Sequence, residues 1–155
     1  MNKSATLAAA SAAALLLSCL SAMALESLYQ APSTAPAAAV WKKVGGFCGI
    51  ANWHPAIAKC VLSKGGKERT LTLKDGGTIV EDLVTINNKK HTYSYKIVKS
   101  PLPVDHYVST LKVVPKGKGS EIIWSGKYMA KGAPDADAKK TIDGIYKSGV
   151  DSLAK

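Results

Sequence analysis

The chain has 155 residues with 21 basic and 11 acidic side chains, a formal charge of +10, and all but one of the bases are lysines. Arg69 is the single arginine, and no basic run is interleaved with stacking aromatics, so a nucleic-acid partner is not expected. The three histidines are scattered without the spacing of a metal site, so neither zinc nor any cofactor is expected.

The first residues read as an export signal rather than as part of the fold. Met1 to Lys3 is a short positive start, Ala5 to Leu20 is an Ala/Leu-rich run, and Ala22-Met23-Ala24 supplies small residues for cleavage. Residues 1–24 are therefore expected to be removed, leaving Leu25 to Lys155 as a single periplasmic domain with no transmembrane segment. Leu16-Leu17-Ser18-Cys19 is a competing lipobox that would anchor the chain through Cys19; its short spacer makes it the minority reading. Cys48 and Cys60 remain after processing. They can form one bridge or stay as two buried thiols, and the strand position of Cys60 favours the separate thiols.

A weak strand is expected at Ser27 to Gln30. Ala35 to Val44 reads as a short helix that Thr34 can cap, with Pro36 in its first turn and Gly45-Gly46 at its end. A helical turn follows at Ile50 to Trp53, and Pro55 forces His54 out of the helical region. Six β-branched or aromatic runs come next: Ile57 to Ser63, Arg69 to Leu73, Thr78 to Ile86, Thr92 to Lys99, Tyr107 to Val114 and Glu121 to Met129. Turn residues such as Asp75-Gly76-Gly77 and Asn87-Asn88 separate them closely enough for an antiparallel meander. At the C-terminus Ile142, Ile145, Tyr146, Gly149, Val150 and Leu153 recur at offsets of three and four, an amphipathic helix starting near Pro134-Asp135. The fold class is α+β: a curved antiparallel sheet of six to seven strands wrapped around one long C-terminal helix.

Period-two counting places Arg69, Leu71, Leu73, Ile79, Glu81 and Leu83 on one face, continued by Tyr93, Tyr95 and Ile97, by Tyr107, Ser109 and Leu111, and by Trp124, Gly126 and Tyr128, the concave side. A three-residue loop at Asp75-Gly76-Gly77 would pair Leu73 with Ile79 and Leu71 with Glu81, leaving Arg69 diagonal to Glu81. Burying those two charges requires them to pair, either simply to fix the register or to orient a ligand, and a ligand carboxylate would be able to recruit Arg69. His91 is expected to be solvated beside its turn, and His106 to begin a strand. His54 has no triad or metal set adjacent in sequence, so hydrogen-bonded packing at a rim is preferred to ligand contact, and both to acid/base chemistry. The lysines read as a solvated face, with an acidic partner or anionic surface as the alternative.

Several segments together carry a resemblance. VWKKVGGFCGIANWHPAIAKC, RTLTLKDGGTIVEDL, YSYKIVKSPLPVDHY, WSGKY and IYKSGVDSL resemble the START/Bet v 1-like (SRPBCC) superfamily in its polyketide cyclase/dehydrase type, from about Val40 to Leu153. Within it, an exported chain with NWHPAIAK and RTLTLKDGGT is most similar to MxaD-like periplasmic proteins. The resemblance implies a helix-grip fold with a cavity between sheet and helix for an apolar or amphipathic small molecule. The expected lining is Trp53, His54, Arg69, Leu71, Glu81, Leu83, Tyr93, Tyr95, Tyr107, Ser109, Trp124, Tyr128 and Tyr146. Non-catalytic binding is the expected role and no catalytic residue is assigned. The alternatives are an accessory of periplasmic methanol oxidation that docks on an acidic dehydrogenase or cytochrome, and a polyketide cyclase or aromatase. By position, Asp75 to Gly77 and Ser100 to Val104 correspond to the gate and latch of the related plant hormone receptors.

Overall fold

The computed structural model describes residues 24–155, so the expected export signal, up to Met23, and Cys19 lie outside the described residues. The alternation read from the sequence is realised strand by strand; in the strand Gly119–Ala130 every second side chain from Ser120 to Tyr128 is buried. In chain order the elements are β1 (Leu25–Ser33), α1 (Ala37–Val44), α2 (Ile50–Trp53), β2 (Ile57–Ser63), β3 (Glu68–Leu73), β4 (Thr78–Asn87), β5 (Thr92–Lys99), β6 (Val104–Lys116), β7 (Gly119–Ala130) and α3 (Asp135–Ala154). The strands form one antiparallel sheet in the order β1-β7-β6-β5-β4-β3-β2, with α3 against its concave face. This is the expected α+β helix-grip architecture.

Three local expectations are corrected. Helix α1 is capped by Pro36 and not by Thr34, because proline's fixed φ of −57° already directs the chain and its carbonyl accepts the first helical N–H bonds. The β3–β4 loop does have three residues, but they are Lys74-Asp75-Gly76, one position earlier than expected. Thr72 pairs with Thr78, the Leu73 N–H donates to the Gly77 carbonyl, and Gly76 takes a φ of 94°. Leu71 therefore faces Ile79, and Arg69 lies directly opposite Glu81. A slip of two residues keeps every side chain on its face, so the concave surface survives the error. Finally, Cys48 and Cys60 are bonded to each other, tying the α1–α2 loop to the edge strand β2. Both are only half-buried, so the preference for separate buried thiols does not hold.

Alternate hairpin turns divide the molecule into two ends. The turns after β2, β4 and β6 lie at one end, which α1 closes: Trp41 stacks on His91 at 5.6 Å and donates to Asn88 Oδ1. His91 is thus half-buried rather than fully solvated. The loops after β3 and β5 lie at the opposite end beside the first turns of α3. There β6 starts at Val104, two residues before His106, which is exposed at a register shift with a φ of 50°.

Two glycines set how closely α3 approaches the sheet. A Cβ on Gly126 would lie 2.1 Å from the Tyr146 hydroxyl, and one on Gly149 would lie 2.6 Å from His54 Cδ2 and 2.7 Å from Trp124 Cζ3. Gly144, on the exposed side of the same helix, has open space around it. Gly149→Val is expected to cost about 1–3 kcal/mol by overpacking, whereas Gly144→Ala is expected to stabilise by up to about 1 kcal/mol through helix propensity. Thermal or denaturant unfolding of the two variants checks both signs.

Candidate functional site

The polar centre of the concave face is Arg69. Its Nε donates to Glu81 Oε2 at 2.6 Å and Nη1 donates to the Phe47 carbonyl, while the guanidinium lies between the rings of Phe47 and Tyr95, 4.2 and 4.7 Å from its Cζ. Nη2 is buried without a partner among the described residues. Burial alone would lower the arginine's pKa, but the Glu81 carboxylate more than offsets this and holds the guanidinium protonated. Burial pushes the Glu81 carboxyl up from its ordinary value, with Arg69 pulling it back. Phe47 adjoins the disulfide, so the bridge anchors the loop that covers the arginine.

Next to this pair runs a chain of hydroxyls whose proton directions follow from its end. Ser109 Oγ donates to the Ser125 carbonyl, leaving its lone pairs for Tyr146 O–H at 3.0 Å and Trp124 Nε1–H at 2.9 Å. Tyr146 having spent its proton, Tyr107 must donate to Tyr146 at 2.7 Å, and Tyr95 must then donate to Tyr107 at 3.4 Å. Burial raises the pKa of all three phenols, so they remain protonated. Trp124 and Tyr146 stack with ring centroids 4.7 Å apart, joining β7 to α3.

His54 is buried and fully occupied by backbone. Its Nδ1 accepts the Ala56 N–H at 3.2 Å, which fixes the proton on Nε2, and that proton is donated to the Ile145 carbonyl of α3 at 3.1 Å. Desolvation lowers its pKa, the Ile145 bond partly opposing, so the ring is neutral. Abstracting a proton from a guest would require breaking one of these bonds. Its geometry is that of a clasp between the start of β2 and the helix.

Between α3 and the sheet, toward the open end, lies a cavity of about 280 Å³. Of the residues expected to line it, His54, Leu71, Glu81, Tyr95, Tyr107 and Trp124 do so. Arg69, Leu83, Tyr93, Ser109, Tyr128, Tyr146 and Trp53 do not border it. Arg69 is screened by Phe47 and Tyr95; Tyr93 packs against Phe47, Ser109 and Tyr146 form the layer behind Tyr107, and Tyr128 bonds to Ser27. Trp53 packs edge-on against Trp124, and its Nε1 has no partner among the described residues. The expected lining omits an aliphatic wall: Ile50, Ile57, Ile142 and Ile145, together with Leu73, Ile79 and Ile97, which period-two counting already places on the concave face. Ile145 carried the clearest signal, since it sits at the margin of the helical stripe. Asp75 and Leu102, from the loops after β3 and β5, line the same cavity.

A seven-stranded sheet gripping a C-terminal helix around an apolar cavity defines a helix-grip domain. Residues 29–155 match the family model described as "Polyketide cyclase / dehydrase and lipid transport", and the chain belongs to that family. Among solved structures it is similar to the protein XoxI from Bacillus cereus, with 32% identity over 83% of this chain and 92% of that one and a TM-score of 0.81. It is likewise similar to an uncharacterised protein from Bacillus thuringiensis, with 32% identity over 84% of this chain and 96% of that one and a TM-score of 0.82. The Zhui aromatase/cyclase from Streptomyces sp. R1128 shares the fold, with 13% identity over 85% of this chain and 92% of that one and a TM-score of 0.67. No curated protein matches the sequence.

The lowered pKa of His54 makes stability depend on pH. As pH falls below the ordinary histidine value of 6.5, the unfolded chain takes up a proton before the native ring does. Stability is therefore full above that value and is lost as pH falls through the lowered native one, with a slope of at most about 1.4 kcal/mol per pH unit. Denaturant unfolding between about pH 7.5 and 5.5 should show this slope in the natural protein and a shallower one in His54→Asn.

Proposed function

We propose that this protein is an exported, non-catalytic carrier or sensor of a small apolar or amphipathic molecule. The observation that supports this most is the cavity itself, whose wall is mainly isoleucine and leucine with Glu81, Tyr95 and Tyr107 among its polar groups. A volume of 280 Å³ falls at the lower edge of the range of about 300–1,000 Å³ typical of small-molecule sites. That suits a compact guest better than a long-chain lipid. Export is supported by the character of residues 1–24. A cyclase needs a free acid or base against its substrate, and the engaged nitrogens of His54 and the raised phenol pKa values favour binding over turnover.

Native mass spectrometry of the protein purified from the periplasm tests this reading. The expected result is a mass matching residues 25–155 plus a small molecule released on denaturation. A protein that is always empty, and that binds no apolar probe, would overturn it.

A second reading, docking to an acidic periplasmic protein such as a dehydrogenase or cytochrome, is favoured by the placement of lysines. Lys42, Lys43, Lys67, Lys89, Lys90, Lys112 and Lys118 are exposed at the end closed by α1, and none has a carboxylate partner among the described residues. They are dispersed in sequence, but the alternation of hairpin turns gathers them in space. Docking by that end would leave the cavity mouth free. Replacing Lys42, Lys43, Lys89 and Lys90 by Gln is expected to weaken association with such a partner at low salt by tenfold or so. The same change at Lys59, Lys74, Lys99 and Lys140 should have little effect; equal losses from the two sets would remove this reading.

A further inference from the structure

Hydrogen-bonding capacity around the cavity is one-sided. Each side-chain donor bordering it is committed to the protein: His54 Nε2–H to the Ile145 carbonyl, Tyr107 O–H to Tyr146, Thr141 O–H to the Asp137 carbonyl, and Trp124 Nε1–H to Ser109 and Tyr95. The loosest commitment is Tyr95 O–H to Tyr107, at 3.4 Å. Acceptor capacity, by contrast, is left over. Among the described residues the only side-chain hydrogen bond of Glu81 is the one Oε2 accepts from Arg69, so Oε1 keeps both lone pairs, and each phenol oxygen can accept again.

Charge narrows the chemistry further. Arg69 already balances Glu81, and no atom of Arg69 borders the cavity. A carboxylate guest would meet a carboxylate with no cation or free donor to receive it, at the cost of desolvating its own charge. An ammonium guest would bring a second cation beside Arg69 and be desolvated in an aliphatic chamber. A ketone or ether would find only the weakly held Tyr95 proton. We infer that the guest is a neutral, apolar molecule carrying a hydroxyl group, an alcohol or phenol, which donates its proton to Glu81 Oε1. This rests on the cavity-binding reading above and names the class of guest that the cavity selects. It also sets aside the carboxylate that the sequence reading allows as a partner for Arg69.

Calorimetric titration of the natural protein at pH 7 with three probes of one shape tests it: 2-naphthol, its methyl ether 2-methoxynaphthalene, and 2-naphthoate. The naphthol is expected to bind at least tenfold more tightly than the ether, which has the same oxygen without the proton, and the naphthoate should bind most weakly. Equal binding of naphthol and ether, or tightest binding of the naphthoate, would overturn the hydroxyl assignment while leaving cavity binding in place. If none of the three binds, the cavity reading falls and the hydroxyl assignment with it.

Discussion

The buried pair of Arg69 and Glu81 is the constraint around which the rest of the domain is arranged. A guanidinium and a carboxylate removed from water must meet each other, and removing either partner leaves an uncompensated charge that costs about 3–5 kcal/mol. Meeting the requirement fixes the β3–β4 register, since the two residues lie directly opposite across the hairpin. It also draws in the loop after α1, whose Phe47 supplies a carbonyl to Nη1 and a ring to the cation's face. The disulfide beside Phe47 then holds that loop to β2. A single charged pair thereby links two strands, one loop and one covalent bridge.

The cavity is the space that this arrangement and α1 leave over. Val40, Trp41, Val44 and Phe47 fill the end of the grip that α1 closes, packing with Tyr93, Leu111, Val113 and Ile122. Toward the other end nothing equivalent among the described residues enters between α3 and the sheet, so the isoleucines of β2, β4, β5 and α3 face one another across a gap. Helix α3 is held at its distance by contacts on glycine: Tyr146 over Gly126, and Gly149 against His54 and Trp124. His54, far from being an isolated reactive group, is one of these spacers, with both ring nitrogens bonded to backbone.

The sequence disclosed the faces of the sheet well, because each strand of an antiparallel meander carries its own alternation, and parity survives a one-residue error in where the turn sits. Register was less legible. Asp75-Gly76-Gly77 announces a turn, but which three residues form the loop depends on the Leu73–Gly77 hydrogen bond and on which pairing brings Arg69 opposite Glu81. The Cys48–Cys60 bridge was left open for the same reason, since two half-exposed thiols become partners only through the path of the chain between them. The aliphatic wall was missed because an isoleucine that lines a void and one that fills a core obey the same periodicity; Ile142 and Val150 are indistinguishable along the helical stripe, yet only the first borders the cavity. Lysines that look dispersed along the chain converge at one end for a topological reason that no local window contains.

Everything functional rests on the chamber between α3 and the sheet being the place where a guest sits. Methyl-resolved NMR during titration with 2-naphthol tests this most directly, because isoleucine and valine methyls occupy both the chamber and the filled end. The account predicts that Ile57, Ile79, Ile97, Ile142 and Ile145 shift while Val40, Val113 and Ile122 do not. Shifts confined to the exposed Leu28, Val98 and Val108 of the strands, or shifts spread evenly over the protein, would contradict it.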